Sequence, residues 1–224
     1  MDVLTNEHLG KAAEKGLCLA IGTPYGMQYN YPGGLAESLA LRFAPLVSRF
    51  QGYTHTGANS QLYDFTSADG SQYLSLKTAL TEKACKVCPQ IIGQPSRGVF
   101  ARYFGLPSDA SNDDIKKYIE ENVASMMPKY IEKTFPCPML VYSKDTNTCQ
   151  VITMNQVPDW SQCAFTFSRK GAEWNESSTL KVAGKTIGEF QIHNHRNCIK
   201  FRWNQKGLFE TFPTCFTLEN IAAV

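Results

Sequence analysis

Residues 61–77 read Gln61-Leu-Tyr-Asp64-Phe-Thr-Ser-Ala-Asp-Gly70-Ser-Gln-Tyr-Leu-Ser75-Leu-Lys77. An apolar-flanked segment and an alternating one are separated by Ala68-Asp69-Gly70, a tight-turn sequence. Two strands of a hairpin are therefore expected, roughly 61 to 66 and 72 to 78. Asp64 lies on the first arm and Lys77 on the second, and alternation puts Ser75 and Lys77 on one face. A carboxylate beside an amine can hold a divalent cation next to a proton-handling group, as phosphodiester hydrolysis requires. Asp64 would bind Mg²⁺ through oxygen, and the backbone carbonyl of Leu76 would add to the coordination. Lys77 would position or activate the attacking water.

Outward from this hairpin the chain changes character once. Residues 5 to 20 have an apolar face (Leu9, Ala12, Ala13, Leu17, Leu19) and predict a helix. A Gly/Pro/Tyr-rich loop follows, from Gly22 to Gly34. A second helix starts near Leu35, with the stripe Leu35, Leu39, Phe43, Leu46 and Phe50, and Pro45 breaks or kinks it. A short helix is expected around Gly98 to Phe104. Ser111-Asn-Asp-Asp114 is a capping box opening a longer helix towards Met126, which Pro128 ends or restarts. Beyond it, Pro138 to Ser143, Cys149 to Met154, Cys163 to Ser168 and Leu180 to Val182 read as strands. Two alternating segments, 189–193 and 198–204, follow. This order predicts an α/β (α+β) fold, a central mixed β-sheet flanked by helices, in a single domain spanning 1–224.

The bulk composition narrows the function classes. The chain has 224 residues and a formal net charge of +2, so it is not basic throughout and any nucleic-acid surface is a local patch. Met1-Asp-Val-Leu-Thr-Asn-Glu carries no basic n-region and no apolar h-region, so secretion is not expected. No run reaches transmembrane length. A cytoplasmic protein with reduced thiols is the expectation. Cys85-x-x-Cys88 is half a zinc site, and no second close pair completes it.

At Asp64, Ser75 and Lys77 the chain resembles the PD-(D/E)XK nuclease superfamily, and more closely its type II restriction endonucleases. The family pattern is an Asp followed by Glu/Asp-x-Lys on the next strand, and the resemblance covers about twenty residues with a looser match of element order. It implies a restriction-endonuclease-like core, Mg²⁺ as cofactor and double-stranded DNA as substrate. Ser75 departs from the pattern as a hydroxyl in place of the usual carboxylate. Some relatives recover that acid from a helix about a dozen residues downstream, but this chain has Gln90 there. Glu37 is the replacement we expect, as the second metal-binding acid beside Asp64. It is the lone acid between Glu14 and Asp64, on a largely apolar helix, where an unpaired carboxylate is costly.

The 189–204 hairpin is the expected DNA contact. Its polar face carries Gln191, His193, Lys200, Arg202 and Asn204, and its turn adds His195, Arg196 and Asn197. Arg and Lys suit guanine, while Asn and Gln suit adenine. Phe190, Ile192, Ile199, Phe201 and Trp203 would anchor the ribbon to the core. Glu189 stands alone against Arg196, Lys200, Arg202 and Lys206. His193-Asn194-His195 is a turn rather than the dispersed motif of an HNH nuclease. From Lys83 to Pro107 there is no acid, and Gln94 and Arg97 there could meet phosphates. The whole points to a Mg²⁺-dependent, sequence-specific DNA endonuclease, acting most simply as a homodimer on a palindrome. The alternatives are a non-catalytic DNA-binding protein and a mismatch-repair-type nicking nuclease.

Overall fold

A computed structural model describes residues 4–29, 33–57, 63–81, 86–90, 92–169, 174 and 176–221. The chain divides into two compact units, each assembled from separate segments. Unit 1 comprises Met1–Cys85, Cys137–Met154 and Thr217–Val224; unit 2 comprises Lys86–Pro136 and Asn155–Phe216.

Unit 1 is built on a mixed sheet. Strands β1 (Tyr53–His55), β2 (Phe65–Ser67) and β3 (Tyr73–Ala79) form an antiparallel meander. β3 then pairs parallel with β5 (Met139–Ser143), and β5 pairs antiparallel with β6 (Thr148–Met154). The edge strand β11 (Phe216–Ile221) completes the order β1-β2-β3-β5-β6-β11. A parallel neighbour requires a long crossover, which the chain makes through residues 86–136.

Helices α1 (Asn6–Ile21) and α2 (Leu35–Phe43) pack on one another, and α1 also lies on β3. α1 opens on a capping box in which Thr5 Oγ1 accepts the His8 N–H. Its apolar stripe joins Leu39, Phe43, Phe65, Leu74, Leu76 and Leu140 in one core. Each large side chain buried there contributes about 1.5–3 kcal/mol. Gly16 lets the helices approach: a Cβ there would meet Leu39 Cβ at 2.8 Å. Pro45 acts as expected. α2 stops at Phe43, a 3₁₀ turn covers Ala44–Leu46, and α3 (Val47–Phe50) restarts.

Unit 2 holds a second sheet, ordered β4-β10-β9-β8-β7 and antiparallel throughout. Its strands are β4 (Lys86–Val87), β7 (Phe165–Phe167), β8 (Ser177–Val182), β9 (Lys185–Ile192) and β10 (Ile199–Asn204). The predicted ribbon is thus the centre of a five-stranded sheet. Phe190, Ile192, Ile199, Phe201 and Trp203 are all buried. α4 (Arg97–Phe104), α5 (Asn112–Thr134) and α6 (Gln205–Thr211) belong to this unit.

α5 differs from expectation, because it runs through Pro128 to Thr134. Proline removes one helical hydrogen bond. The buried face on either side (Val123, Met126, Met127, Tyr130, Ile131) holds the helix through the defect. The Tyr130 and Phe201 rings pack at a tilt with centroids 4.6 Å apart, and Trp203 Nε1 donates to Thr134 Oγ1 at 2.8 Å, so the last turns are tied to β10.

α6 lies on β9, and Gly207 makes the close approach: a Cβ there would stand 1.8 Å from the Thr186 carbonyl oxygen. Gly207→Ala is expected to destabilise the fold by roughly 1–3 kcal/mol through overpacking, seen as a lower thermal unfolding midpoint. An unchanged midpoint would contradict this packing.

Candidate functional site

Asp64 lies immediately before β2 and is held on three sides by backbone. Its N–H donates to the Leu74 carbonyl at 3.1 Å, and its carbonyl accepts from Thr56 N at 2.9 Å and Gly57 N at 3.1 Å. The register Phe65↔Leu74 would bring Asp64 next to Ser75. The side chain takes over the ladder instead, and Leu76 N–H donates to Asp64 Oδ2 at 2.6 Å. In extended backbone the N–H and C=O of one residue share a strand edge, so the Leu76 carbonyl faces the same edge as Asp64. Lys77 Nζ reaches the same Oδ2 at 3.1 Å.

The expected pairing of Asp64 and Lys77 is therefore present, with both side chains partly exposed. Ser75 shares the strand face of Lys77 but is 2% exposed. Its Oγ accepts from Cys137 Sγ at 3.7 Å. Burial pushes the Cys137 thiol up, against the hydrogen bonds it shares with Ser75.

Glu37 is exposed in the first turn of α2 and makes no hydrogen bond or ion pair among the described residues. A different helical acid stands behind the hairpin. Glu14 is 7% exposed within the apolar face of α1. His55, at the end of β1, contacts Glu14 Oε2 through Nε2 at 3.1 Å, and Lys11 Nζ reaches both Glu14 oxygens at 3.1 Å. Burial pushes the Glu14 carboxyl up, but the bond with His55 and the charge of Lys11 outweigh it. Glu14 therefore titrates below the ordinary glutamate range.

Gly57 links this pair to Asp64. A Cβ on Gly57 would stand 3.2 Å from His55 Nε2 and 3.5 Å from Asp64 Oδ1, so the two side chains flank a gap about one methyl group wide. Both hydrogen bonds to the Asp64 carboxylate fall on Oδ2, leaving Oδ1 towards that gap. No group of three or more His, Cys, Asp and Glu side chains suited to a metal gathers among the described residues. Mg²⁺ commonly uses one or two carboxylates and completes its shell with water and phosphate, so an Asp64 oxygen over a side-chain-free gap fits it.

Sequence reasoning missed Glu14 and His55. Whereas Glu37 is exposed, Glu14 is the helical acid that is buried and partnered. Its signal was the run Ala12-Ala13-Glu14, an acid inside the buried stripe.

The polar face of unit 2 forms rows across three strands. Arg202 opposes Glu189, which opposes Thr179; Lys200 opposes Gln191, which opposes Ser177. Arg202 Nη2 contacts Glu189 Oε2 at 3.2 Å and Gln191 Nε2 donates to Glu189 Oε1 at 3.0 Å. A cavity of about 140 Å³ opens here, lined by Thr179, Thr186, Gly188, Glu189, Arg202 and Asn204. His193 Nδ1 pairs with Glu176 Oε2 at 2.8 Å. Arg97 Nη2 points at the carbonyls of His193, Asn194 and Arg196. His195, Arg196 and Gln94 are exposed. Gln61, Leu62, Lys83 and Cys85 lie outside the described residues. Cys88 is a free thiol whose pKa burial raises.

The chain is 39% identical over 216 residues to the type II restriction enzyme CviAII of Paramecium bursaria Chlorella virus 1, a match covering 96% of this chain. It spans 63% of the viral enzyme's length. No family model and no solved structure matches the chain.

His55→Ala would leave the buried Glu14 carboxylate without one of its partners. A loss of roughly 1–3 kcal/mol is expected, read as a lower urea midpoint at neutral pH. An unshifted midpoint would show that Lys11 alone satisfies Glu14.

Proposed function

We propose that this chain is a Mg²⁺-dependent, sequence-specific DNA endonuclease of the type II restriction kind. The observation that carries the reading is the Asp64–Lys77 pair at 3.1 Å, made on a strand edge that also bears the Leu76 carbonyl. The similarity to a type II restriction enzyme supports it. So does the helix–meander–parallel-strand order of unit 1, which suits a restriction-endonuclease-like core.

In this reading Asp64 would hold the cation through Oδ1 as its one carboxylate, because Glu37 is exposed and Glu14 is committed to Lys11 and His55. Bound Mg²⁺ would supply a Lewis acid and lower the pKa of a coordinated water. Lys77, anchored on Asp64 Oδ2, would hold that water or the developing phosphate charge with its remaining donors. Ser75 would be a buried hydroxyl neighbour fixing β3. Gly57 would keep the space beside Asp64 open. Unit 2 would contact DNA through the polar face of β8–β10 and the turn 193–197. A two-fold dimer on a palindrome is the simplest way to cut both strands.

Supercoiled plasmid incubated with Mg²⁺ should give discrete fragments, and the same mixture with EDTA should give none. Asp64→Ala should abolish cutting while leaving the gel shift of the plasmid intact, and Lys77→Ala should slow it by roughly 10²–10⁴-fold. Normal cleavage by Asp64→Ala would place the chemistry elsewhere. A gel shift without any cleavage by the unmodified chain would favour a non-catalytic DNA-binding protein, and nicking alone a nicking nuclease.

Gly57→Ala tests the gap independently. Its backbone is outside the left-handed region, so the protein should fold. Cleavage should fall at least tenfold with the DNA gel shift unchanged. Full activity would show that nothing needs the space between His55 and Asp64.

A further inference from the structure

The polar side chains around the β9–β10 connection fall into two classes. Gln191 and Arg202 are bound to Glu189, and His193 is bound to Glu176. His195 and Arg196 are exposed at the tip of the turn, with no side-chain hydrogen bond or ion pair among the described residues. A committed side chain must give up its partner before it can meet a ligand, leaving a charge unpaired; an uncommitted one loses only water.

The turn itself is held from beneath. Glu176 accepts from Asn194 N at 3.3 Å while its other oxygen holds His193, and its carbonyl accepts Ile192 N. The Arg97 guanidinium lies within 3.5 Å of three turn carbonyls, and Arg97 N donates to Asn197 Oδ1 at 3.4 Å. Asn112 Nδ2 donates to Asn194 Oδ1 at 2.8 Å. A connection serving only to reverse the chain needs two residues. Here the turn is longer and backed by an acid and a buried guanidinium nitrogen.

We propose that Arg97 and Glu176 are positioning residues of a preformed recognition turn, and that His195 and Arg196 at its tip read the DNA. This rests on the reading of the chain as a DNA-contacting protein. It changes the role of Arg97 from a phosphate contact to a clamp on carbonyls. It also explains an acid, Glu176, beside a cationic face. A turn already ordered in the free protein loses less entropy on binding.

Two measurements test the assignment on the full chain. The first is hydrogen exchange of the 193–197 amides without DNA. Arg97→Gln and Glu176→Gln should each raise exchange in this turn at least tenfold, while Arg196→Ala should leave it unchanged. The second is binding, without Mg²⁺ and over a range of salt, to an uncut duplex spanning the cleaved site and to a random-sequence duplex. Arg196→Ala should narrow the preference for the uncut site at least tenfold. Arg97→Gln should narrow the same preference and leave the slope of log K against log[salt] unchanged. A slope reduced by Arg97→Gln, with turn exchange unchanged, would make Arg97 a direct phosphate contact and overturn the proposal. If the unmodified chain binds neither DNA, the DNA reading fails, while the exchange data still decide whether the clamp exists.

Discussion

The carboxylate of Asp64 replaces a backbone rung, and the geometry of the hairpin follows from that substitution. By accepting Leu76 N–H at 2.6 Å it continues the β2–β3 ladder with a side chain where the main chain has turned away. β2 begins only after Asp64, so the β3 edge beyond Leu74 has no main-chain partner there. The hydrogen bond also fixes the carboxylate beside that edge, where Lys77 meets it. On its other edge β3 pairs in parallel with β5 over five registers, Ser75↔Met139 to Ala79↔Ser143. The strand is thus paired by main chain on one side and by the Asp64 carboxylate on the other. A partly exposed ion pair contributes about 0–1 kcal/mol at most, so the Asp64–Lys77 contact matters for position more than for stability.

Much of this was legible in the sequence because its determinants are local. Alternation in 72–78, the turn at Ala68-Asp69-Gly70, the break at Pro45 and the capping box at Ser111 all operate within a few residues. The failures come from partners distant in sequence. Pro128 reads as a helix end, yet Tyr130 and Thr134 are held by β10 strongly enough to carry α5 past it. Short strands such as β1 and β4, and the small helix α6, have little periodicity to announce them. Glu37 and Glu14 separate the two kinds of information most clearly. Both are acids on amphipathic helices; only the fold reveals that His55 joins Lys11 on one of them.

Charge on the sheet of unit 2 is balanced by very few acids. Glu189 engages Arg202 and Gln191 together, and Glu176 engages His193 and a backbone amide. Glu176 titrates below the usual range because of the His193 hydrogen bond and then the Asn194 N–H. Net charge alone would suggest a uniformly weak cationic surface. The pairing instead neutralises Arg202 on the strands and leaves Arg196 exposed at the turn. A patch of this kind is local, as the near-neutral composition requires.

The same electrostatic economy accounts for serine at position 75. That side chain is 2% exposed and packed on Cys137, so a carboxylate there would be desolvated beside a second carboxylate, Asp64. Lys77 already engages Asp64. A buried, unpaired anion is costly and tends to be protonated. On α1 the balance is different. Glu14 is equally removed from water but sits between Lys11 and His55, and these hold it ionised below its ordinary range. Across the gap over Gly57, His55, which holds that helical acid, stands opposite Asp64 Oδ1. The missing strand carboxylate and the buried helical one are two consequences of where this core can place a compensating cation.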